Sequence, residues 1–530
     1  MSDNVKLRPF HQASWNEPII LELSSDGERG IVVPEVEAEL AAAVGDGVSQ
    51  IPAGLRRSRP PALPELSQPQ VLRHYLRLSQ ETLGEAVNVH LLGTCTMKHS
   101  PRVNEELIRA PWVADLHPEQ DDETVQGILE VMYRFERILC EISGMDRFTF
   151  QPGGGSQAVY ANARMMQAYH EARGEPDRDE IITTIYSHPC DAAGPATMGF
   201  KLITLYPAER GYPDLDAVRA AVSERTAGLM ITNPEDTGIF NPEIDKVVEI
   251  VHDAGGLCHY DQANANGILG ITRARDAGFD LCQFNLHKTF SSPHCSMGMP
   301  CGASGVTKEL APFLPSPTVE LDGSRYYLDY DRPRSIGKLR AFHGVPATVV
   351  RAYAWVMSLG ADGLREVAEV AVLNNNYLAK KIAEIPGFEI SYADGNGDRR
   401  LEQVRYSLAR LAEDTGVSTL EVAAKTTDFG VAQYFPSHEP WLVPEPMTVE
   451  PSESFSKADL DTYAAILAEV SREAYADPAS VKAGPQRSTV HQLDPGPLDD
   501  PERWALTWRA HRRKARKERG ARGEEIDFGS

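Results

Sequence analysis

Short apolar or β-branched runs alternate with helical stretches between about residues 145 and 305, and this alternation limits the fold more than any other feature. The runs lie at 148–150, 181–185, 202–205, 228–232, 256–260 and 281–284. Parallel strands need long crossover connections, which are usually helices. The pattern therefore predicts an α/β fold with a mainly parallel sheet that is covered by helices.

The length of the chain predicts more than one domain, because 530 residues exceed the usual size of a single hydrophobic core. Composition divides the chain into an N-terminal arm at 1–90 that is rich in proline and polar residues, a large domain at 91–345, a smaller α+β domain at 346–480 and a basic tail at 481–530. A three- and four-residue apolar spacing predicts a helix over 123–143.

Charge and cysteine usage exclude several classes of protein. The net charge of −23 repels phosphate backbones and anionic membranes, so neither nucleic acid nor membrane is an expected partner of the folded body. The seven cysteines are scattered and form no C-x-x-C pair, so we expect no disulfide framework and no bound metal. No apolar stretch reaches the length of a membrane span and the first residues lack a signal-peptide pattern, so a cytoplasmic location is expected.

Two residues of opposite charge follow strand-like runs. Asp261 directly follows the run at 256–260, and Lys288 stands in Asn-Leu-His-Lys-Thr-Phe at 285–290. An aldehyde cofactor needs a lysine amine for a Schiff base and a carboxylate that keeps its ring nitrogen protonated. A single Asp and Lys spacing is common on protein surfaces, but neighbouring segments strengthen this one. The pair predicts a pyridoxal 5'-phosphate (PLP) site in which Lys288 and Asp261 are both catalytic and cofactor-binding.

Two more segments are expected at the carboxyl edge of the sheet, where open α/β folds bind ligands. The glycine-rich turn at 151–157 runs into a helical stretch, so Gly155, Ser156 and Gln157 are expected to bind the phosphate. His188 follows the run at 181–185 and would either stack on the cofactor ring and transfer protons, or form hydrogen bonds within a turn.

The remaining candidates flank these positions. His287 and Thr289 border the lysine with groups able to reach a phosphate, and Ala263 follows Asp261 closely enough to join the cofactor-binding set. The polar turn at 233–238 would serve substrate positioning or simple turn formation.

With these residues and several further motifs, the sequence resembles subunit 2 of the PLP-dependent glycine dehydrogenase (decarboxylating), the P-protein of the glycine cleavage system in its two-subunit bacterial form. The resemblance runs from about Leu92 to about Leu493. It includes Gly-Thr-Cys-Thr-Met-Lys at 93–98, Tyr-Asp-Gln-Ala-Asn-Ala-Asn-Gly-Ile-Leu-Gly at 260–270, Asn-Leu-His-Lys-Thr-Phe at 285–290, Ser-Leu-Gly-Ala-Asp-Gly-Leu-Arg-Glu at 358–366 and Glu-Pro-Ser-Glu at 450–453.

The resemblance implies a type I aminotransferase-like fold with a seven-stranded type of sheet. It also implies that Lys288 forms the Schiff base, that Asp261 contacts the pyridine nitrogen and that His188 lies near the cofactor ring. Ser156, Gln157 and Thr289 are implied to surround the phosphate.

The sequence departs from the family after the lysine segment, where members usually carry Pro-His and four glycines. This chain has Pro-His-Cys-Ser-Met-Gly-Met at 293–299, and we expect these side chains to obstruct a lipoyl arm. Cys295 in this loop is interpreted as an inert thiol rather than a nucleophile. Lys288, His188 and His294 all remain candidates for proton transfer.

Three functions stay open at this point. The first is a divergent PLP enzyme that decarboxylates a small amino acid, or uses related carbanion chemistry at its α-carbon. The second is an authentic glycine cleavage component that works with a subunit 1 and a lipoyl carrier protein. The third is a non-catalytic partner with the same fold, which the presence of both Lys288 and Asp261 disfavours.

The two ends of the chain suggest contacts with other surfaces. The N-terminal arm is suited to wrapping a neighbouring chain, so we expect a homodimer or a heteromer with a subunit 1-like chain. The arginine- and lysine-rich stretch at 509–522 predicts a basic helix that binds the acidic surface of its own chain, an acidic partner or RNA.

Overall fold

The structure is a computed structural model that describes residues 5–59, 61, 63–84, 88–91, 98–292, 299–393, 399–432, 436–489 and 507–520. The chain divides into two compact units. One comprises Met1–Pro9 and Gly84–Gly484, and the other comprises Phe10–Leu83 and Pro485–Ser530. Nothing in this division separates residues 91–345 from 346–480, so that predicted boundary stays a prediction.

A seven-stranded sheet forms the centre of the larger unit. Its strands are β1 (Arg147–Thr149), β2 (Glu180–Thr184), β3 (Lys201–Leu205), β4 (Thr226–Thr232), β5 (Leu257–Gln262), β6 (Leu281–Asn285) and β7 (Gly302–Val306). Their order across the sheet is β1-β7-β6-β5-β4-β2-β3, and β7 is antiparallel to both of its neighbours. The other pairings are parallel, which confirms the predicted mainly parallel sheet.

Helices cover both faces of this sheet because its strands are apolar on both sides. In β4, Leu229 and Ile231 contribute to the core on one face and Met230 to the core on the other. The helices between residues 102 and 253 are α3 (Arg102–Arg109), α4 (Pro111–Ala114), α5 (Gln126–Ser143), α6 (Gly155–Ala172), α7 (Cys190–Ala196), α8 (Leu215–Ala221) and α9 (Ile244–Asp253). The helix predicted over 123–143 is α5, which a 3₁₀ turn at Asp122–Thr124 precedes.

The rest of the larger unit matches the predicted α+β pattern. A hairpin of β8 (Thr318–Asp322) and β9 (Arg325–Asp329) precedes the long helix α10 (Pro346–Ile382), in which Gly360 interrupts the helical backbone. An antiparallel sheet then joins β10 (Glu389–Ile390), β11 (Val404–Ser407) and β12 (Pro446–Val449). Its helices are α11 (Ala409–Thr415), α12 (Thr419–Thr426), α13 (Lys457–Ala476) and α14 (Pro478–Lys482).

The second unit has little core of its own. It contains α1 (Ala38–Val44), α2 (Gln68–Gln80) and α15 (Trp508–Gly520), together with short 3₁₀ turns. Among the described residues from 10 to 83, Leu66 is the one buried apolar side chain. Polar contacts hold the segments together, including the bond from the Gln12 amide to the Arg487 carbonyl and the ion pair of His511 with Glu22.

Across the described parts of the chain, none of the helices is both long enough and apolar enough to cross a membrane.

Candidate active site

A pocket of about 560 Å³ opens where several strands of the large sheet end. Because β2, β4, β5 and β6 run in the same direction, their carboxyl ends meet at one edge. The lining residues come from the strand ends, from the turns that follow them and from segments next to the smaller sheet: Tyr186, Ser187, His188, Pro189, Thr232, Pro234, Asp236, Asp261, Ala263, Asn264, Lys288, Glu402, Gln403, His438 and Glu439. The structure therefore brings Lys288, Asp261, His188 and Ala263 together.

Lys288 lies in the turn that follows β6. Its backbone amide bonds to the carbonyl of Asn285, the last residue of the strand, at 3.0 Å. Its side chain is buried, and its charge influences the titration of both Asp261 and His188. A buried lysine at a pocket wall is placed to react with an aldehyde.

Asp261 lies near the end of β5, paired in register with Gln283 of β6. Its Oδ1 accepts hydrogen bonds from the Ala263 amide at 2.8 Å and from Gln283 Nε2. Its Oδ2 is buried and has no hydrogen-bond partner. Burial raises the pKa of this carboxyl, and the nearby Lys288 charge only partly opposes the effect. An unpartnered buried acceptor oxygen is costly unless a ligand donates to it.

His188 is held by the residues that follow it in the turn after β2. Its Nδ1 accepts the Cys190 amide at 3.1 Å and lies 2.9 Å from the Cys190 sulfur. Burial, followed by the nearby positive charge of Lys288, lowers the pKa of His188 to about 4. The imidazole is therefore neutral near pH 7, and its proton is on Nε2 because Nδ1 is already an acceptor.

The glycine turn forms an anion-binding geometry at the start of α6. The first helical hydrogen bond runs from the Ala158 amide to the Gly154 carbonyl, so the amides of Gly155, Ser156 and Gln157 have no helical acceptor. A Cβ at Gly155 would lie 2.8 Å from Asn285 Nδ2, which explains why no side chain fits there.

Several side chains that were predicted to bind the cofactor form hydrogen bonds with other residues of the chain. The Gln157 side chain accepts the Gly153 amide at 2.6 Å and donates to the Leu339 carbonyl at 3.2 Å. Thr289 Oγ1 accepts the Ala265 amide at 2.9 Å. His287 Nδ1 accepts the Cys301 amide at 3.2 Å. The Gln157 bonds hold the glycine turn, and the Thr289 and His287 bonds hold the segment around the lysine. The predicted cofactor roles of the three residues stay predictions.

Comparison with known proteins gives consistent matches. Residues 367–494 match the family model for the glycine dehydrogenase C-terminal domain. A protein of Pyrococcus abyssi and one of Thermococcus kodakarensis are both named "Probable glycine dehydrogenase (decarboxylating) subunit 2". Each is 43% identical to this chain, and each match covers 98% of this chain and 100% of the relative. The chain belongs to the glycine dehydrogenase (decarboxylating) subunit 2 family.

The fold agrees with this membership. A crystal structure of glycine decarboxylase (P-protein) of the glycine cleavage system, in inhibitor-bound form, superimposes with a TM-score of 0.69. The match covers 83% of this chain and 99% of that one at 19% identity. A NifS-like protein matches with a TM-score of 0.54 over 72% of this chain and 99% of its own length. The predicted type I fold and the class of PLP-dependent enzyme are confirmed.

The site residues of this glycine dehydrogenase homologue fit PLP. Asp261 Oδ2 is an unused acceptor for a ring nitrogen proton, Lys288 supplies the amine, and the amides that begin α6 suit a phosphate. These are the residues that would hold the cofactor, and their individual roles stay predictions.

Sequence reasoning missed two buried acids at this site. Glu402 lines the pocket from the segment before β11, and burial together with neighbouring Glu450 raises its pKa well above the usual range. Asp191, in the first turn of α7, is fully buried beside Asp261. Charged residues are exposed by default, so only the position of Asp191 just after a strand end offered a signal.

The turn at 233–238 has a largely structural role in the described contacts. The Asn233 side chain accepts the Asn241 amide at 2.8 Å and donates to the Asn241 carbonyl. Asp236 forms an ion pair with the buried Arg405 at the pocket wall. The substituted loop with His294 and Cys295 lies outside the described residues, so its predicted effect stays a prediction.

Proposed function

We propose that the chain is the catalytic subunit 2 of a PLP-dependent glycine dehydrogenase (decarboxylating) and acts on glycine or a comparably small amino acid. The observation that carries the proposal is the buried Lys288 in one pocket with Asp261, whose Oδ2 has no other partner. When bound, PLP supplies an electron sink for the bond that breaks at the α-carbon of the substrate.

The residues of the chain divide the remaining work. Lys288 presents a buried amine, and Asp261 presents Oδ2, the carboxylate oxygen that neither of its two chain donors uses. His188 stays neutral and keeps its proton on Nε2, because burial lowers its pKa.

The name of the relatives supports a heteromeric partner for this chain. They are called subunit 2, so we infer a complex with a subunit 1, and we propose a lipoyl carrier protein as a further partner. A homodimer of this chain is the alternative assembly, and the proposed location is the cytoplasm.

Covalent labelling tests the cofactor site. Borohydride reduction of the protein loaded with PLP should fix the cofactor on Lys288, as located by peptide mass spectrometry. Lys288→Ala should abolish this adduct, whereas Lys246→Ala, which changes an exposed lysine, should not. Attachment to another lysine, or no attachment with PLP in excess, would contradict the site.

A second experiment tests the reaction. The protein is mixed with subunit 1 and carrier protein, and exchange of the glycine carboxyl group with labelled bicarbonate is measured. Carrier-dependent exchange assigns the chain to glycine cleavage. No exchange, combined with a change in the cofactor absorbance on adding a different small amino acid, assigns it to the divergent activity expected from the substituted loop at 293–299.

A further inference from the structure

Asp191 is a buried acid to which the reaction above assigns no role. It is the second residue of α7, directly after the turn that carries His188. Its side chain is fully buried, and neither of its carboxyl oxygens has a hydrogen-bond partner. An ionised carboxylate in that position would lack the donors or the cation that normally offset its loss of hydration.

The nearest polar groups do not supply such an offset. Oxygen atoms of Asp191 and Asp261 and the sulfur of Cys190 all lie within 4.8 Å of one another. Burial raises the pKa of Asp191 well above its usual range, and the charge of Asp261 adds to that rise. Lys288 lowers the pKa of Asp261 but is not among the groups that influence Asp191.

Two carboxylates at this separation cannot both be ionised in a dry environment. Contact between two ionised carboxylates is not a hydrogen bond, which explains why both oxygen atoms of Asp191 lack a partner although Asp261 is close by. A proton between them turns the same contact into a strong hydrogen bond. Asp261 is the member that stays ionised, because the Ala263 amide, Gln283 and Lys288 all favour its charged form.

We propose that Asp191 and Asp261 share one proton, and that Asp191 is a positioning residue that keeps the pair at a single negative charge opposite the pyridine nitrogen. The inference rests on the proposed function only for the location of that nitrogen. One ring N–H then meets one negative charge, and Asp191 acts on the cofactor through Asp261. Lys288 and Cys190 are the other titratable groups that interact with this cluster, and His188 contacts it through Cys190.

The shared proton has a measurable linkage. An unfolded aspartate is ionised above about pH 4, so the folded pair binds one more proton than the unfolded chain near neutral pH. Because the folded pKa is raised, the stability from this proton is present at low pH and is lost as pH rises through the folded value. The folding equilibrium constant should fall roughly tenfold per pH unit from this proton alone.

Asp191→Asn tests this linkage, since the amide can donate to Asp261 but cannot titrate. Urea unfolding of the full-length chain is measured between pH 5.5 and pH 8, with and without PLP. As pH rises, the folding equilibrium constant of wild type relative to that of Asp191→Asn should fall roughly tenfold per pH unit. Asp216→Asn, a control at an exposed aspartate, should stay parallel to wild type. Parallel curves for wild type and Asp191→Asn would overturn the shared proton.

Infrared spectroscopy of the wild-type protein gives a second test that does not depend on the variant folding. With ¹³C-labelled aspartate, a protonated carboxylic acid band that shifts on labelling should be present at pH 7. Within the described part of the chain, Asp191 and Asp261 are the aspartates with a raised pKa, whereas the buried acids Glu235 and Glu402 are not labelled. Absence of the band would overturn the proposal.

Cofactor fixation on Lys288 is scored separately in wild type and Asp191→Asn. Its failure in both proteins contradicts the proposed function, whereas a missing band or parallel pH curves contradict the shared proton.

Discussion

Burial sets the protonation of the residues around Lys288. It lowers the pKa of His188 to about 4 and raises that of Glu402 well above its usual range. Near pH 7 the pocket wall therefore presents a neutral imidazole, and burial favours the protonated form of the Glu402 carboxyl. Among the residues that the structure describes, this disfavours His188 as a proton acceptor through Nδ1 and adds Glu402 as a candidate proton donor.

At Asp261 we predict that Asn substitution separates cofactor attachment from turnover. The amide keeps the shape of the side chain but cannot hold a protonated ring nitrogen, so turnover should fall roughly 100-fold or more, the scale of one lost electrostatic contact. Borohydride fixation on Lys288 should persist. Steady-state turnover and peptide mass spectrometry measure both effects, with Asp216→Asn as control. Near-normal turnover would mean that Asp261 is structural.

At His188 we predict acid sensitivity of stability. The unfolded imidazole titrates near pH 6.5 and the folded one near pH 4, so the unfolded chain binds more protons between these values. Because the folded pKa is depressed, stability is lost as pH falls through this window. His188→Phe keeps an aromatic ring without the titration. As pH falls through this window, urea unfolding should show the folding equilibrium constant of wild type falling roughly tenfold per pH unit relative to that of the variant. Parallel curves would contradict the neutral state.

Among the elements, the strands that position the site were predictable and the antiparallel additions were not. The six apolar runs became β1 to β6 with small shifts at their ends, because continuous β-branched and apolar residues suit strands buried on both faces. Strand β7, Gly-Ala-Ser-Gly-Val, has little such signal. Gly305 is required there because the Phe148 ring lies against it and leaves no room for a Cβ.

The residues of the site were likewise only partly predictable from the sequence. Lys288 and Asp261 were predictable because one follows and the other lies near the end of a parallel strand of one sheet, β6 and β5 respectively. Glu402 reaches the pocket from a segment more than a hundred residues further along the chain, and no local pattern reports that contact. Asp191 is buried because α7 packs against α6 and against strands β2, β3 and β4, which is a tertiary effect.

An ion pair links helix α9 to the start of β6. His252 Nε2 lies 2.7 Å from Asp280 Oδ2, which also accepts the Cys258 amide of β5 at 2.9 Å. The hydrogen bond to Asp280 raises the pKa of His252. The stabilisation is therefore present below about pH 6.5 and is lost as pH rises through the folded value.

We predict that His252→Gln destabilises the protein at pH 6 by about 0.5–1 kcal/mol, as expected for a partly exposed pair, and by less at pH 8.5. Urea unfolding at the two pH values measures the difference. An equal loss at both would show that the hydrogen bond acts without the charge.

At the scale of the whole molecule, the second compact unit exposes apolar side chains. Its described residues from 10 to 83 bury one apolar side chain, while Ile31, Val32 and Val33 are 76%, 80% and 70% exposed. A contiguous exposed apolar run is unusual in a monomer and marks an interaction surface. The family name implies such a partner, a subunit 1.

We predict that the segment around Val32 packs against subunit 1. Burying one valine contributes about 1.5–3 kcal/mol, so Val32→Asp should weaken the complex at least roughly tenfold. Leu420→Asp, which places the same charge at an exposed leucine outside the arm, should leave assembly unchanged. Sedimentation of mixtures with subunit 1 measures the affinity, and borohydride fixation on Lys288 confirms that each variant keeps its cofactor site. Equal affinity for wild type and Val32→Asp would exclude this segment from the interface and leave the exposed run without an assigned partner.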